Sequence, residues 1–190
     1  MPRDVTLILR DFTSNQAAAA AELLPIVYAE LRALAGAQMA RLRPGQTLQP
    51  TALVHEAYLK LVGAADPGWN GRGHFFGAAA QAMRELLVDH IRRKAAVKRG
   101  GGQVREDLDV DLAAGADGLP AEEVLAIHEG LQGLEAEHPR KAEVVVMRFF
   151  GGLSVEEIAA ALGTTTRTVE RDLRFARAYL YDRMGGAQPA

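Results

Sequence analysis

Between residues 100 and 120 the chain reads GGGQVREDLDVDLAAGADGLP, rich in Gly and Asp and poor in large apolar side chains. Such a stretch buries too little surface to offset the entropy of ordering it, roughly 1–2 kcal/mol per backbone residue. It is expected to be a flexible acidic linker. The 190 residues then fall into two small domains, 1–99 and 121–184, with a disordered tail at 185–190.

Both flanks carry helix-period spacing, and no period-2 strand of useful length occurs. In the first flank, NQAAAAAELL follows Ser14 as a candidate N-cap. Pro25 suits a first turn better than a helix interior, so a second helix is expected from there to about Leu42. RPGQ at 43–46 reads as a turn, and TALVHEAYLKLVG at 51–63 as a helix started by Pro50 and Thr51 and stopped at Gly63. ADPGWNGRG at 65–73 is a loop, followed by a long helix from about Phe75 to Lys98 that RGGG ends. Helices resume at PAEEVLAIHEGLQGLEAE, RKAEVVVMRFFGG, SVEEIAAALG and GTTTRTVERDLRFARAYL. The expected fold class is all-α, with a helix-turn-helix in the C-terminal domain.

Composition excludes several kinds of chemistry. An apolar share of 48% and a charged share of 24% are those of an ordinary soluble globular protein. With no cysteine there is no disulfide, thiolate metal site or cysteine nucleophile. The start, MPRDVTLILRDF, lacks the apolar core of a signal peptide, and no later run approaches the ~20 residues of a membrane span. A cytoplasmic protein with no membrane partner is expected. HEAYL at 55–59 has the first half of the HExxH zinc motif, but Leu59 stands where the second His belongs. The five histidines show no metal-ligand spacing, and RGGGQ lacks the Gly-Lys-Ser/Thr ending of a phosphate-binding loop. Glu156 and Glu157 are explained by helix-start electrostatics. No catalytic constellation, metal site or cofactor site is expected, and the chain is not read as an enzyme.

Charge is distributed unevenly. The net charge is only −2, yet Arg84, Arg92, Arg93, Lys94, Lys98 and Arg99 cluster on one helix against Glu85 and Asp89 alone. From Glu106 to Glu123 the sign reverses, with no Lys or Arg. Six cations exceed what a helix C-terminus needs to complement its dipole. Ahead of them, Trp69, Arg72, His74, Phe75 and Phe76 set aromatics beside a basic surface, the combination that stacks single-stranded bases; core aromatics at a helix start fit Phe75 and Phe76 equally well.

The stretch 163–180 separates two tracks. At 100° per residue, Arg167, Arg171 and Arg174 lie within about 60° of one another, while Val169, Leu173, Ala176 and Leu180 lie on another face. Upstream, Ser154 and Glu157 form a capping-box pattern, and Gly163 permits a sharp turn between two helices. In a helix-turn-helix the second helix enters the major groove. Thr164, Thr165 and Thr166 would cap that helix and donate to phosphate. Arg167 would reach a guanine edge, and Arg171, Arg174 and Arg177 would pair with the backbone. A solvated amphipathic helix of a bundle would show the same two tracks, although it has no need of the Gly-Thr-Thr-Thr turn.

These stretches carry a family resemblance. ALVHEAYLKL followed by HFFGAAAQAMRELLVDHIRRK resembles region 2 of the extracytoplasmic function (ECF) sigma factors. VVVMRFFGGLSVEEIAAALGTTTRTVERDLRFARAYL resembles their region 4. Together the two cover about residues 15–98 and 122–183, in the right order across the linker. The resemblance implies a subunit that binds core RNA polymerase and directs it to promoter DNA. It assigns the polymerase-binding face to Leu53, His55, Glu56, Tyr58, Leu59 and Lys60. Contact with the −10 element, including its melted strand, falls to Trp69, Arg72, His74, Phe75, Phe76, Arg84, Glu85, Asp89, His90, Arg92, Arg93, Lys94 and Lys98. The duplex −35 element falls to the helix quoted above, with Thr168 and Glu170 added to its threonines and arginines. An anti-sigma factor is a common partner in the family, and the acidic linker would follow the path of exiting RNA. The chain departs from the family's usual wording at FFGAAAQAMRE, where Ala78 replaces a common Trp and Glu85 a common Asn, which puts its −10 preference in doubt. The alternative function is a stand-alone helix-turn-helix regulator; a purely protein-binding helical adaptor is the third reading.

Overall fold

In the computed structural model of the chain, residues 4–10, 16–42, 48–63, 69, 71–99 and 118–183 are described. The expected Ser14 cap, the 43–46 turn, most of the 65–73 loop and of the 100–120 linker, the Lys98 side chain and the 185–190 tail lie outside them. The described residues form helices α1 (Val5–Arg10), α2 (Gln16–Met39), α3 (Pro50–Val62), α4 (Arg72–Arg99), α5 (Ala121–Glu137), α6 (Pro139–Val145), α7 (Val155–Ala161) and α8 (Thr166–Arg183). A π-helical turn, Val146–Phe150, extends α6. The all-α class stands; among the described residues the one extended pairing is a parallel bridge between Leu42 and Leu119.

Pro25 does not divide α2. Ala19, Leu23, Val27, Leu31 and Ala35 recur every fourth residue straight through it, all buried, while the proline ring is exposed. An interior proline costs about 3 kcal/mol. Burying the Leu and Val side chains of this stripe returns roughly 1.5–3 kcal/mol each, which outweighs it. The first helix, α1, is six residues long, too short for a periodic signal or for stability alone. It forms because Val5, Ile8 and Leu9 enter the main core and Asp4 Oδ1 accepts from the Thr6 N–H at 2.7 Å.

The other starts and stops follow local chemistry. Pro50 begins α3 and Gly63 caps it, within a residue of the expected limits. At the start of α7 the capping box is complete: Glu157 N donates to Ser154 Oγ at 3.1 Å, and Ser154 N donates to Glu157 Oε2 at 2.8 Å. Hydrogen bonds at this start also hold the neighbouring Glu156 carboxyl below its ordinary range. Gly163 turns the chain with φ +59°, a left-handed conformation that suits glycine.

One core runs through both halves of the chain. The buried residues of α1 to α4 are continuous with Val144, Met147, Leu153, Ile158, Ala159 and Val169, while Leu131, Leu134, Ala142, Val145 and Ala176 form a second cluster in the C-terminal half alone. The approach is closest where α4 meets the π-helical turn. A Cβ at Gly77 would stand 2.8 Å from two Met147 carbons, so glycine is what allows this contact. Polar bridges surround it: Gln81 Nε2 donates to Glu135 Oε1 at 3.2 Å, and His74 Nε2 lies 3.7 Å from Glu143 Oε1.

Candidate nucleic-acid interface

The α7–turn–α8 segment is built by its threonines and its buried face. Thr165 caps α8, accepting from the Thr168 N–H at 3.3 Å and sharing a 3.0 Å bond with the Thr168 hydroxyl. Val169 and Ala176 are buried, with Leu173 and Leu180 half-buried beside them, as their spacing predicts. Arg167, Arg171, Arg174 and Arg177 are all exposed, and none forms an ion pair among the described residues. Thr166 and Glu170 share that exposed side, with Thr164 half-buried. Asp172 was not singled out from the sequence. It is buried on the opposite face, 3.8 Å from Arg140 Nε of α6, and so fixes α8 without neutralising the arginine track.

The residues that the resemblance assigns to polymerase divide in two. Leu53 and Tyr58 are buried, and the Tyr58 hydroxyl donates to Ala20 O of α2. Burial pushes the Tyr58 phenol up to about 12. His55, Glu56, Leu59 and Lys60 share the exposed face of α3, and Leu59 is 59% exposed. Lys60 pairs with Glu85 of α4, which also accepts from Gln81 Nε2 at 3.2 Å.

The residues assigned to the −10 element divide likewise. Trp69, Phe75 and Phe76 form an edge-to-face series in the core, with centroids 5.1 and 5.4 Å apart, so the core alternative describes their packing here. Arg72 pairs with Glu30 and lies over the Phe76 ring at 5.0 Å, and His74 is half-buried at the junction of the halves. Asp89, Arg92 and Arg93 are exposed and Lys94 half-exposed toward the end of α4, with Arg93 Nε donating to Asp89 O at 3.3 Å. His90 lies within this cationic end; desolvation, then Arg93 and Lys94, lower its pKa.

Arg84 is only 4% exposed. It donates to His128 Nδ1 of α5 at 3.3 Å and lies over the Phe150 ring at 5.8 Å. Because a guanidinium only donates, His128 must be neutral with its proton on Nε2. Desolvation, then Arg84 and Arg92, lower the His128 pKa, while Glu85 and Asp89 oppose them. A base whose folded pKa is depressed contributes stability above its ordinary value, about 6.5, and loses it as pH falls through the folded value. Thermal unfolding should therefore occur at lower temperature at about pH 5.5 than at about pH 7.5. His128→Asn keeps an acceptor without the titration and should flatten part of that dependence, the rest belonging to His90. An unchanged slope in the variant would show that the Arg84–His128 bond does not govern it.

Among the described residues no group of His, Cys, Asp and Glu is placed to hold a metal ion, and no helix is long and apolar enough to cross a membrane. What the arrangement does offer is a set of exposed, unpaired arginines on a capped helix and a second cationic surface at the end of α4. Comparison with curated proteins gives no match. Comparison with protein families does: residues 2–186 match the ECF sigma factor family, across both halves and the segment between them. That family acts in transcription initiation, binding DNA and working with RNA polymerase. With nearly the whole chain matched and an all-helical fold beneath it, the protein belongs to the ECF sigma factors.

Proposed function

We propose that α1–α4 and α5–α8 are two working units of a promoter-recognition subunit, each holding one end of the promoter while docked on core RNA polymerase in the cytoplasm. The observation that carries this reading is the exposed arginine track of α8, unpaired and set behind a Thr165 cap and the Gly163 turn. In this reading α7 and α8 form a helix-turn-helix, and α8 lies in the major groove of the −35 element with Arg167 toward base edges and Arg171 and Arg174 on phosphates. The exposed end of α4, with Arg92, Arg93 and Lys94, takes the −10 element and its melted strand. The exposed face of α3 holds polymerase.

The two halves pack together, and Arg84, held between His128 and Phe150 of the second half, becomes available to DNA only if the halves part. Docking on polymerase would hold the units at a fixed separation and raise their joint affinity through effective concentration.

Arg171→Ala tests the arginine track. Promoter binding by the polymerase complex should weaken about ten-fold for all sequences alike, with the salt slope reduced by about one. Arg167→Ala should instead change base preference within the −35 element. Intact promoter binding by Arg171→Ala at moderate salt would overturn this orientation of α8. Tight binding of duplex promoter by the protein alone would favour a stand-alone regulator.

A further inference from the structure

Where the two halves meet they enclose a cavity of about 320 Å³. Its size is at the lower end of small-molecule sites, roughly 300–1,000 Å³, and too small for a docked helix. The walls are aliphatic and aromatic, with Leu87 and Val88 from α4, Ile127 and Leu131 from α5, Phe150 from the π-helical turn and Leu180 from α8. The polar side is cationic. Arg41, Arg84 and Arg177 line the cavity, and among the described residues no Asp or Glu does.

Arg84 gives the cavity a chemical preference. Its guanidinium is buried, has no ion-pair partner among the described residues, and leaves Nε without a hydrogen-bond acceptor. Arg84 also lines a polar recess outside the cavity, with Glu85 and Glu135, which act on it electrostatically but form no ion pair with it. A buried guanidinium without a carboxylate partner is costly, and Arg84 lines the cavity, where an anion would pair with it. Gln38, also on the wall, donates to Ala80 O at 3.2 Å and Phe150 O at 3.4 Å, and its buried Oε1 accepts no hydrogen bond among the described residues.

We propose that this cavity binds a small apolar carboxylate, its alkyl chain between α4, α5 and α8 and its carboxylate on Arg84. The site does not involve Arg167, Arg171 or Arg174 of α8, although Arg177 of the same helix lines it. Because its walls come from both halves, an occupant ties them together, and binding to the packed arrangement alone increases the population of that arrangement by mass action.

The test uses the full chain and three ten-carbon probes kept below their micelle concentrations: decanoate, decanol and decyltrimethylammonium. Calorimetry should show one decanoate per chain, bound at least about ten-fold more tightly than either other probe, the return expected of one charge-assisted hydrogen bond in an apolar site. Arg84→Gln should remove the preference for decanoate over decanol. Exposed Arg41→Gln should weaken decanoate by less. Equal binding of acid and alcohol, several decanoates per chain, or no saturable binding would each overturn the proposal. These readouts need only the unaltered chain, so the test stands even if Arg84→Gln fails to fold.

Discussion

Phe75→Ala should destabilise the folded chain by about 3–5 kcal/mol, the usual cost of deleting a buried phenyl group that its neighbours cannot replace. Phe75 is fully buried, holds the Trp69 and Phe76 rings edge-on, and sits in the core that runs through both halves. Against a total stability of about 5–15 kcal/mol, this is a large fraction. For a chain of this size the midpoint of thermal unfolding should fall by about 10 °C. Phe76→Ala should cost less, because Phe76 keeps 8% of its surface exposed and meets Arg72 at its outer side. Urea and thermal melts of the two variants decide between roles. A stable Phe75→Ala with a selective defect in opening promoter DNA would mean that the ring meets bases and is not chiefly a core element.

Leu59→Asp should do the opposite, leaving stability within about 0.5 kcal/mol and reducing affinity for core RNA polymerase by about 100-fold or more. Leu59 is the most exposed of the large apolar side chains described, and His55, Glu56 and Lys60 surround it with polar groups. An apolar anchor within a polar rim is the arrangement expected of an interface hot spot, and a carboxylate buried there would have no partner. Glu56→Ala should have a smaller effect on the same face. Leu53 and Tyr58 are unsuited to this test, since Leu53 is core and Tyr58 ties α3 to α2 through Ala20 O. Titration of labelled protein with core polymerase reads the change directly. Retained affinity in Leu59→Asp, with folding intact, would place the polymerase contact elsewhere.

Both predictions separate residues that stand side by side in one stretch of sequence. TALVHEAYLKLVG gave a helix within a residue of its observed limits, because Pro50 and Gly63 act locally. It did not distinguish Tyr58 from Leu59, whose environments are set by which side of α3 packs against α2 and α4. Likewise the Ser154–Glu157 box and the Gly163 turn were legible, since each closes within three or four residues. Pro25 favours a helix start on local cost alone, but the buried stripe through α2 overrides that cost, and the six residues of α1 carry no period. RKAEVVVMRFFGG was read as helix, but its last turn is π-helical, with Gly151 N donating to Val146 O at 2.9 Å.

The sequence by itself determined the all-α class, the helix starts built on caps and glycines, the separation of arginines from leucines on α8, and the family. Each of these depends on neighbours within a few residues, or on a pattern repeated along one helix. Only the tertiary structure decided that Arg84 is buried against His128, that Asp172 holds Arg140, and that Phe75 lies inside a core shared by both halves. Those outcomes depend on residues brought together from distant parts of the chain. The energy of such contacts comes from excluding water between helices, which no spacing along a single helix encodes.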